Sequence, residues 1–316
     1  MRTESGLEYL LKQGKFVVTA ELEPPMSANK DAILKKVSHF KSYVDAINVT
    51  DCASAIVRMS SLAVSKLLID EGLEPIYQLT CRDRNRIAIQ SDVLGAYALG
   101  VKNILCLTGD HQCLGNHPSA KGVFDLDSVN LIKLMRLMRD EKKFFNGEEM
   151  KVAPNLYIGG VFNPHCDPVE FVVQRMVKKV EAGVEFFQSQ IIFDVERFRE
   201  FMKVVRDSGI DKKAYILAGI LPVKSVKALA YMKESVSGMI IPDEFIKRME
   251  KATEPVEEGL RITKELIEQI RNVPGVHGIH ISPVKWESII PRLIEECGFL
   301  PRPIAEIKQE VVYNKS

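Results

Sequence analysis

The sequence predicts an α/β protein, a (β/α)8 TIM barrel with an extra helix between strands seven and eight. Eight short apolar runs recur along the 316 residues. Segments of helical period lie between them, the alternation that builds a parallel sheet. Eight such units in a chain of this length suit one closed barrel better than two small domains. No linker, low-complexity segment or internal repeat interrupts the series, so residues 1–316 are read as a single barrel domain.

The elements follow in order. MRTESGLEYLLKQGK reads as an amphipathic helix and lacks the apolar stretch of a signal peptide. The strands are FVVTAEL from Phe16, AINVT from Ala46, PIYQLT from Pro75 and NILCLT from Asn103. They continue as LYIGGVF from Leu156, FFQSQIIF from Phe186, AYILAGIL from Ala214 and GIHIS from Gly278. After the fourth strand, Asp127 is placed to cap a helix with Leu131, Leu134, Met135 and Met138 on one side. After the fifth, Asp167 is expected as N-cap, Pro168 as first helical residue and Glu170 as capping-box acid. Val173, Met176, Val177 and Val180 then repeat at helical spacing, and Gly183 ends the helix. The extra helix is expected near Pro242–Ala252.

Composition narrows the class. Hydrophobic residues make up 46% and charged residues 27%, as in a soluble enzyme, with a net charge of +1 from 43 basic and 42 acidic side chains. Bulk electrostatics therefore imply no nucleic-acid partner. The longest uncharged run, Val152 to Cys166, is too short for membrane insertion. Six cysteines form no Cys-x-x-Cys pair, which fits reduced thiols in a cytoplasmic protein.

Side chains alternate across a strand. Thr19, Glu21 and Glu23 share one face of strand one, Asn48 and Thr50 one of strand two, Gln78 and Thr80 one of strand three. Gln188 and Gln190 share a face of strand six. In strand four Cys106, Thr108 and Asp110 oppose Leu105 and Leu107. If the apolar faces pack on the helices, these polar faces point into the barrel, with acids at the C-terminal ends where barrel enzymes keep their sites. Burying Glu21, Glu23 and Asp110 without a ligand or partner would be costly. The eighteen residues from Gly109 to Leu126 make a long, functional type of loop. Arg175, Lys178 and Lys179 form a basic stripe suited to a diphosphate, although such a stripe is more commonly a solvated helix face.

These residues resemble the methylenetetrahydrofolate reductase family over nearly the whole chain. The carriers are Glu21-Leu22-Glu23-Pro24-Pro25, Val49-Thr50, Leu79-Thr80-Cys81 and Leu107-Thr108-Gly109-Asp110. Lys178 to Gly183, Gln190 to Asp194 and Gly219 to Val223 complete the ordered series. The resemblance implies a barrel holding non-covalent FAD, with ping-pong turnover. It implies Glu21 as the acid that helps open the ring of the methylene folate, Asp110 as a contact to pterin and flavin, and Gln190 as a folate ligand. Flavin-contacting positions are Thr50, Ala53, Gln78, Thr108, Gly109, Asp110, Asp125 and Asn163, with Arg175, Lys178 and Lys179 toward the diphosphate. Lys285 and Trp286 fall at folate positions.

Departures from the family are specific. Gln78 and Asn163 stand where many members have histidine, Thr108 and Trp286 where many have arginine, and Asp51-Cys52 where Tyr-Gly is common. Val226 replaces the aromatic residue of NADH-using members. Asn163 to Pro168 and Ile241 to Glu244 are similar to reductases of anaerobes with the reductive acetyl-CoA pathway, which often work with a partner subunit. The implied electron donor is NAD(P)H or a redox partner subunit, and a homo-oligomer or hetero-complex is expected. His111, Cys113 and His117 lack a standard zinc spacing, so no metal is expected. His277 and His280 read as structural. A pterin-binding barrel methyltransferase serving a corrinoid protein, or a structural barrel subunit of a redox complex, are the competing readings.

Overall fold

Eight parallel strands pair in chain order, and the eighth pairs with the first to close a barrel. The computed structural model describes residues 2–235 and 238–306. Helix α1 (Gly6–Lys12) precedes β1 (Val17–Leu22), and α2 (Asp31–Val37) leads to β2 (Ala46–Val49). Then come α3 (Ser61–Asp70), β3 (Pro75–Thr80), α4 (Arg86–Ala98), β4 (Asn103–Leu107) and α5 (Ser128–Arg136). They are followed by β5 (Tyr157–Phe162), α6 (Val169–Ala182), β6 (Phe186–Ile191), α7 (Val195–Asp207) and β7 (Tyr215–Ile220). Helices α8 (Val226–Ser235), α9 (Asp243–Lys251) and α10 (Pro255–Arg271) precede β8 (Gly278–Ile281) and α11 (Ile290–Glu296). Each apolar run contains its strand, and α9 lies where the extra helix is expected.

Two apolar layers hold the barrel. The outer layer packs Val18, Ala20, Leu22, Ile47, Tyr77, Leu79, Ile104 and Phe187 against the helices. The inner layer fills the N-terminal half of the lumen with Val17, Ala46, Ile76, Leu105, Tyr157, Phe186 and Leu217. Leu7, Leu10 and Leu11 of α1 close that end. Ser5 caps α1 by accepting from Glu8 N at 2.9 Å. The Glu74 carboxylate accepts from Gly6 N at 2.8 Å and Leu7 N at 3.0 Å, satisfying donors that a helix start leaves free. Gly159 is required where β5 passes Phe186, because a Cβ there would lie 2.3 Å from the ring.

Two local expectations are corrected. Gln78 pairs with Leu105 and Leu79 with Cys106, so Leu105 and Leu107 face the lumen, while Cys106 and Thr108 face the helices. The polar-inward rule therefore fails for β4, because its lumen side meets the dry layer closed by α1. Pro168, not Asp167, occupies the N-cap of α6. Asp167 instead pairs with Arg197 at 2.8 Å. Helix α5, capped by Asp127 as expected, passes into a π turn at Leu137–Glu141 that keeps Met138 buried. Among the described residues no helix is long and apolar enough to cross a membrane.

Candidate active site at the C-terminal mouth

Above the apolar inner layer, the lumen turns polar. Asn48 on β2 and Gln188 on β6 form a reciprocal amide pair, Nδ2 to Oε1 at 2.6 Å and Nε2 to Oδ1 at 3.1 Å. β2 and β6 are opposite staves, so the pair crosses the lumen. Gln188 Nε2 also reaches Thr19 Oγ1 at 3.4 Å, and Thr19 Oγ1 lies 3.0 Å from His280 Nδ1. These four side chains are buried. His280 Nε2 then stands 3.8 Å from Glu21 Oε2. Glu21 thus rises from a hydrogen-bonded floor toward the mouth, with 28% of its side chain exposed.

The second carboxylate ending the first strand is held differently. Arg58 contacts Glu23 Oε1 at 2.5 Å and also donates to Pro24 O at 3.1 Å. Glu23 is therefore neutralised in place. Asp51, at the departure from Tyr-Gly, accepts from Thr80 N at 2.9 Å, Thr80 Oγ1 at 2.8 Å and Arg84 at 2.7 Å. It staples the end of β2 to that of β3, and with Asp51 and Asp92 beside it the Arg84 guanidinium is held firmly charged against its desolvation.

The loops after β2 and β4 are fastened together. Asp110 Oδ2 accepts from Ser54 N at 3.0 Å, and Asn116 Oδ1 accepts from Val57 N at 3.1 Å. Ala53 begins the short turn that carries Ser54. A Cβ on Gly115 would lie 1.9 Å from Ala55 O, so only glycine allows this approach. Asp110 is exposed, which corrects the expectation that it is buried in the barrel. Arg82, itself buried, donates to Asp110 O at 3.3 Å and steadies the turn. Gly109 has φ +92°, a conformation that favours glycine, and a Cβ there would lie 3.1 Å from both Arg82 and Thr80. His111 accepts from Cys113 N and stacks on Phe124, so it serves the packing of this loop. A groove of about 540 Å³ lies outside the polar floor, bordered by Met26, Val57, Arg58, Asn116 and His117.

The remaining expected residues are placed unevenly. Thr50 and Gln78 are buried on the lumen face of β2 and β3, and the Thr50 hydroxyl has no hydrogen-bond partner among the described residues. Gln190 Oε1 accepts from Ile191 N at 2.9 Å, leaving its NH2 as a donor. Thr108 accepts from Ser128 N at 3.1 Å on the helix side. Asp125 is engaged by Arg86 at 2.8 Å, which pulls its carboxyl down to about 2. Asn163 donates to Gly238 O and accepts from His165 N, both at 2.9 Å. Lys285 is exposed with φ +58°, and Trp286 lies under Lys224, whose Nζ is 5.7 Å from the ring centroid.

The basic stripe on α6 is split. Arg175 and Lys178 are exposed. Lys179 is only 4% exposed and donates to Val161 O at 2.6 Å, its one hydrogen bond among the described residues. This corrects the expectation that Lys179 lies at the surface: its aliphatic stem is buried and its head reaches the strand. Desolvation, followed by the charge of Arg175, pushes its ammonium down to about 8. A buried amine with a backbone oxygen as its partner is suited to an anion. Sequence reasoning missed Arg58, Arg82 and the contact of His280 with Glu21. Only the last left a signal, since His280 has the same strand parity as the lumen residue Gly278.

Comparisons place this geometry among known proteins. The model of the family described as methylenetetrahydrofolate reductase matches residues 6–298. Methylenetetrahydrofolate reductase 2 of Schizosaccharomyces pombe is 25% identical over 266 residues, covering 79% of this chain and 40% of that protein. The 5,10-methylenetetrahydrofolate reductase of Escherichia coli is 25% identical over 220 residues, 68% of this chain and 67% of that protein. The match to the first of these relatives thus spans well under half of that protein's length. A solved Clostridium thermocellum protein, described as uncharacterized and as binding two copies of 5-methyl-5,6,7,8-tetrahydrofolic acid, superposes with a TM-score of 0.64. The identity is 16%, over 93% of this chain and 97% of that one, a likeness of fold.

Proposed function

The chain belongs to the methylenetetrahydrofolate reductase family, and from that premise we propose that it reduces 5,10-methylenetetrahydrofolate to 5-methyltetrahydrofolate with a bound FAD. The observation that carries the reading is Glu21. Of the two carboxylates that end the first strand, Glu23 is held by Arg58, whereas Glu21 faces the mouth above the amide floor. An acid in that position can protonate the substrate nitrogen as the ring carbon–nitrogen bond breaks.

The residues present suit a flavin. The Thr50 hydroxyl, without a hydrogen-bond partner among the described residues, offers a polar contact for the ring system. Lys179, with Arg175 and Lys178, offers charge for a diphosphate, which would also restore a full complement of bonds to the buried amine. When bound, FAD supplies the hydride that completes the methyl group. Gln190 can donate to a pterin through its free NH2, and Asp110 is kept at the rim by Ser54 N and Arg82. Lys285 and Trp286, in the loop after β8, are the candidates to contact the far end of a folate. The electron donor is NAD(P)H or a redox partner subunit.

Purification tests the proposal. The chain is expected to be yellow and to release FAD, not FMN, on denaturation. A colourless protein that stays flavin-free after reconstitution, yet binds methyltetrahydrofolate, would instead support the methyltransferase reading.

A further inference from the structure

The sixth strand carries one residue more than its neighbour. Gln188 pairs with Leu217 and Ile191 with Gly219, three steps along β6 against two along β7, so Ser189 and Gln190 form a bulge. A bulge ends the regular alternation and re-aims a side chain, here at the C-terminal end of the strand. The buried Ser189 hydroxyl fills the gap it leaves in the ladder. It accepts from Gly219 N at 2.9 Å and donates its single hydrogen to Gln190 O at 2.7 Å. The backbone ladder resumes just beyond, where Ile192 N donates to Gly219 O at 3.0 Å. Gly219 is part of the fit, because a Cβ there would lie 2.7 Å from Ser189 O and 2.8 Å from Gln190 O. From the loop after β5, the buried His165 ring donates through Nε2 to Ile191 O at 3.0 Å, since a carbonyl only accepts. Ile191 N in turn donates to Gln190 Oε1 at 2.9 Å. A backbone N–H cannot accept, so the Gln190 amide has one orientation: its oxygen is taken by the backbone and its NH2 is left to a ligand.

We propose that Ser189 is the positioning residue of Gln190: its hydroxyl locks the bulge, and Gln190 then meets the substrate as a hydrogen-bond donor alone. This rests on the reading of Gln190 as a folate ligand. The group it takes is therefore an acceptor, the pterin carbonyl oxygen or a ring nitrogen that bears no hydrogen. An N–H or amino edge of the same ring would meet the NH2 hydrogens and be turned away. Removing the Ser189 hydroxyl leaves Gly219 N and Gln190 O without their partner in a buried place. A ladder relaxed to regular register would pair Gln190, not Ile191, with Gly219, and the amide would lose its hold on Ile191 N.

Hydrogen exchange and folate binding test this separately. In amide exchange followed by NMR without folate, Ser189→Ala should speed exchange at Gly219 N by about fivefold or more. In titrations of the purified protein with 5-methyltetrahydrofolate, Ser189→Ala should weaken binding by about 5–10-fold. The KM for 5,10-methylenetetrahydrofolate should rise by a similar factor with little change in kcat, the pattern of a lost binding contact. Adding Ser189→Ala to Gln190→Ala should cost nothing further, because the amide it positions is already gone. Gln190→Glu keeps one oxygen for Ile191 N and turns the other on the ligand, so it should bind more weakly than Gln190→Ala. Unchanged exchange at Gly219 overturns the lock, and single effects that multiply in the double variant overturn the positioning role. Tighter binding by Gln190→Glu than by Gln190→Ala overturns the donor-only orientation. If Ser189→Ala does not fold, the comparison of those two Gln190 variants still decides. If the parent protein binds no folate, the proposed function fails, while exchange at Gly219 still reports whether Ser189 locks the bulge.

Discussion

At the scale of single residues, Glu21 and Glu23 make the sharpest contrast. They share a strand face, yet Arg58 holds one and His280 faces the other. Glu21→Gln should retain FAD and slow folate-driven reoxidation by about 10²–10⁴-fold, the usual worth of a general acid. Glu23→Gln should weaken its contact with Arg58 and change that rate far less. Stopped-flow reoxidation of both variants separates them, and equal rates would remove Glu21 from its assigned role. Lys179 gives a second test, through pH. Its folded value lies near 8 against 10.5 for a free lysine, because desolvation disfavours the ammonium. The unfolded chain therefore binds more protons between those values, and stability rises with pH across that window. In flavin-free protein, Lys179→Met should raise the melting temperature most below pH 8, and the gain should shrink toward pH 10.5. A gain constant with pH would mean that the burial cost is not electrostatic. The burial was partly legible in the sequence, since Lys179 lies three residues from Met176 on the packed side. The eye reads three basic residues at helical spacing as one solvated stripe, and the phase of the helix overrules it.

At the scale of elements, alternation located the strands because each has a face of β-branched and aliphatic residues that must leave water. It gave the inward face wherever the other face was plainly polar, as in β1, β2, β3 and β6. In β4 both faces of Leu105-Cys106-Leu107 are apolar, so only the register with β3 decides which one enters the lumen. His280 stayed ambiguous for a similar reason. Its partners Thr19 and Glu21 come from β1, far away in sequence, and no local pattern announces them. The element with the most separable role is α1. Leu10 is 3% exposed in the inner layer, at the barrel end opposite Glu21. Leu10→Ala should cost about 2–5 kcal/mol in urea denaturation, the range for a buried leucine truncated to alanine. The affinity for FAD in the folded protein should be unchanged. A loss of flavin affinity without loss of stability would show that the two ends of the barrel are coupled.

For the whole molecule, the source of electrons is read from the surface of α8. Val226, at the start of α8, is partly buried against the helix layer and offers no ring for stacking. The missing aromatic contact is worth roughly 1 kcal/mol, or about fivefold in affinity for a nicotinamide or adenine. Anaerobic mixing of the isolated chain with NADH should therefore bleach the flavin slowly, and a co-purifying redox subunit should restore the rate. Rapid bleaching by NADH alone would remove the need for a partner.

The sealed end of the barrel has a consequence for traffic. With α1 seated in one opening and the amide pair spanning the lumen above it, every reactant enters and leaves by the same door. Under the proposed reaction, a donor and a folate cannot queue from opposite sides, so each is expected to vacate the mouth before the other is admitted. Under the proposed reaction, an excess of either one keeps its counterpart waiting outside. Steady-state rates should then fall at high concentration of one reactant and recover when the other is raised to match it.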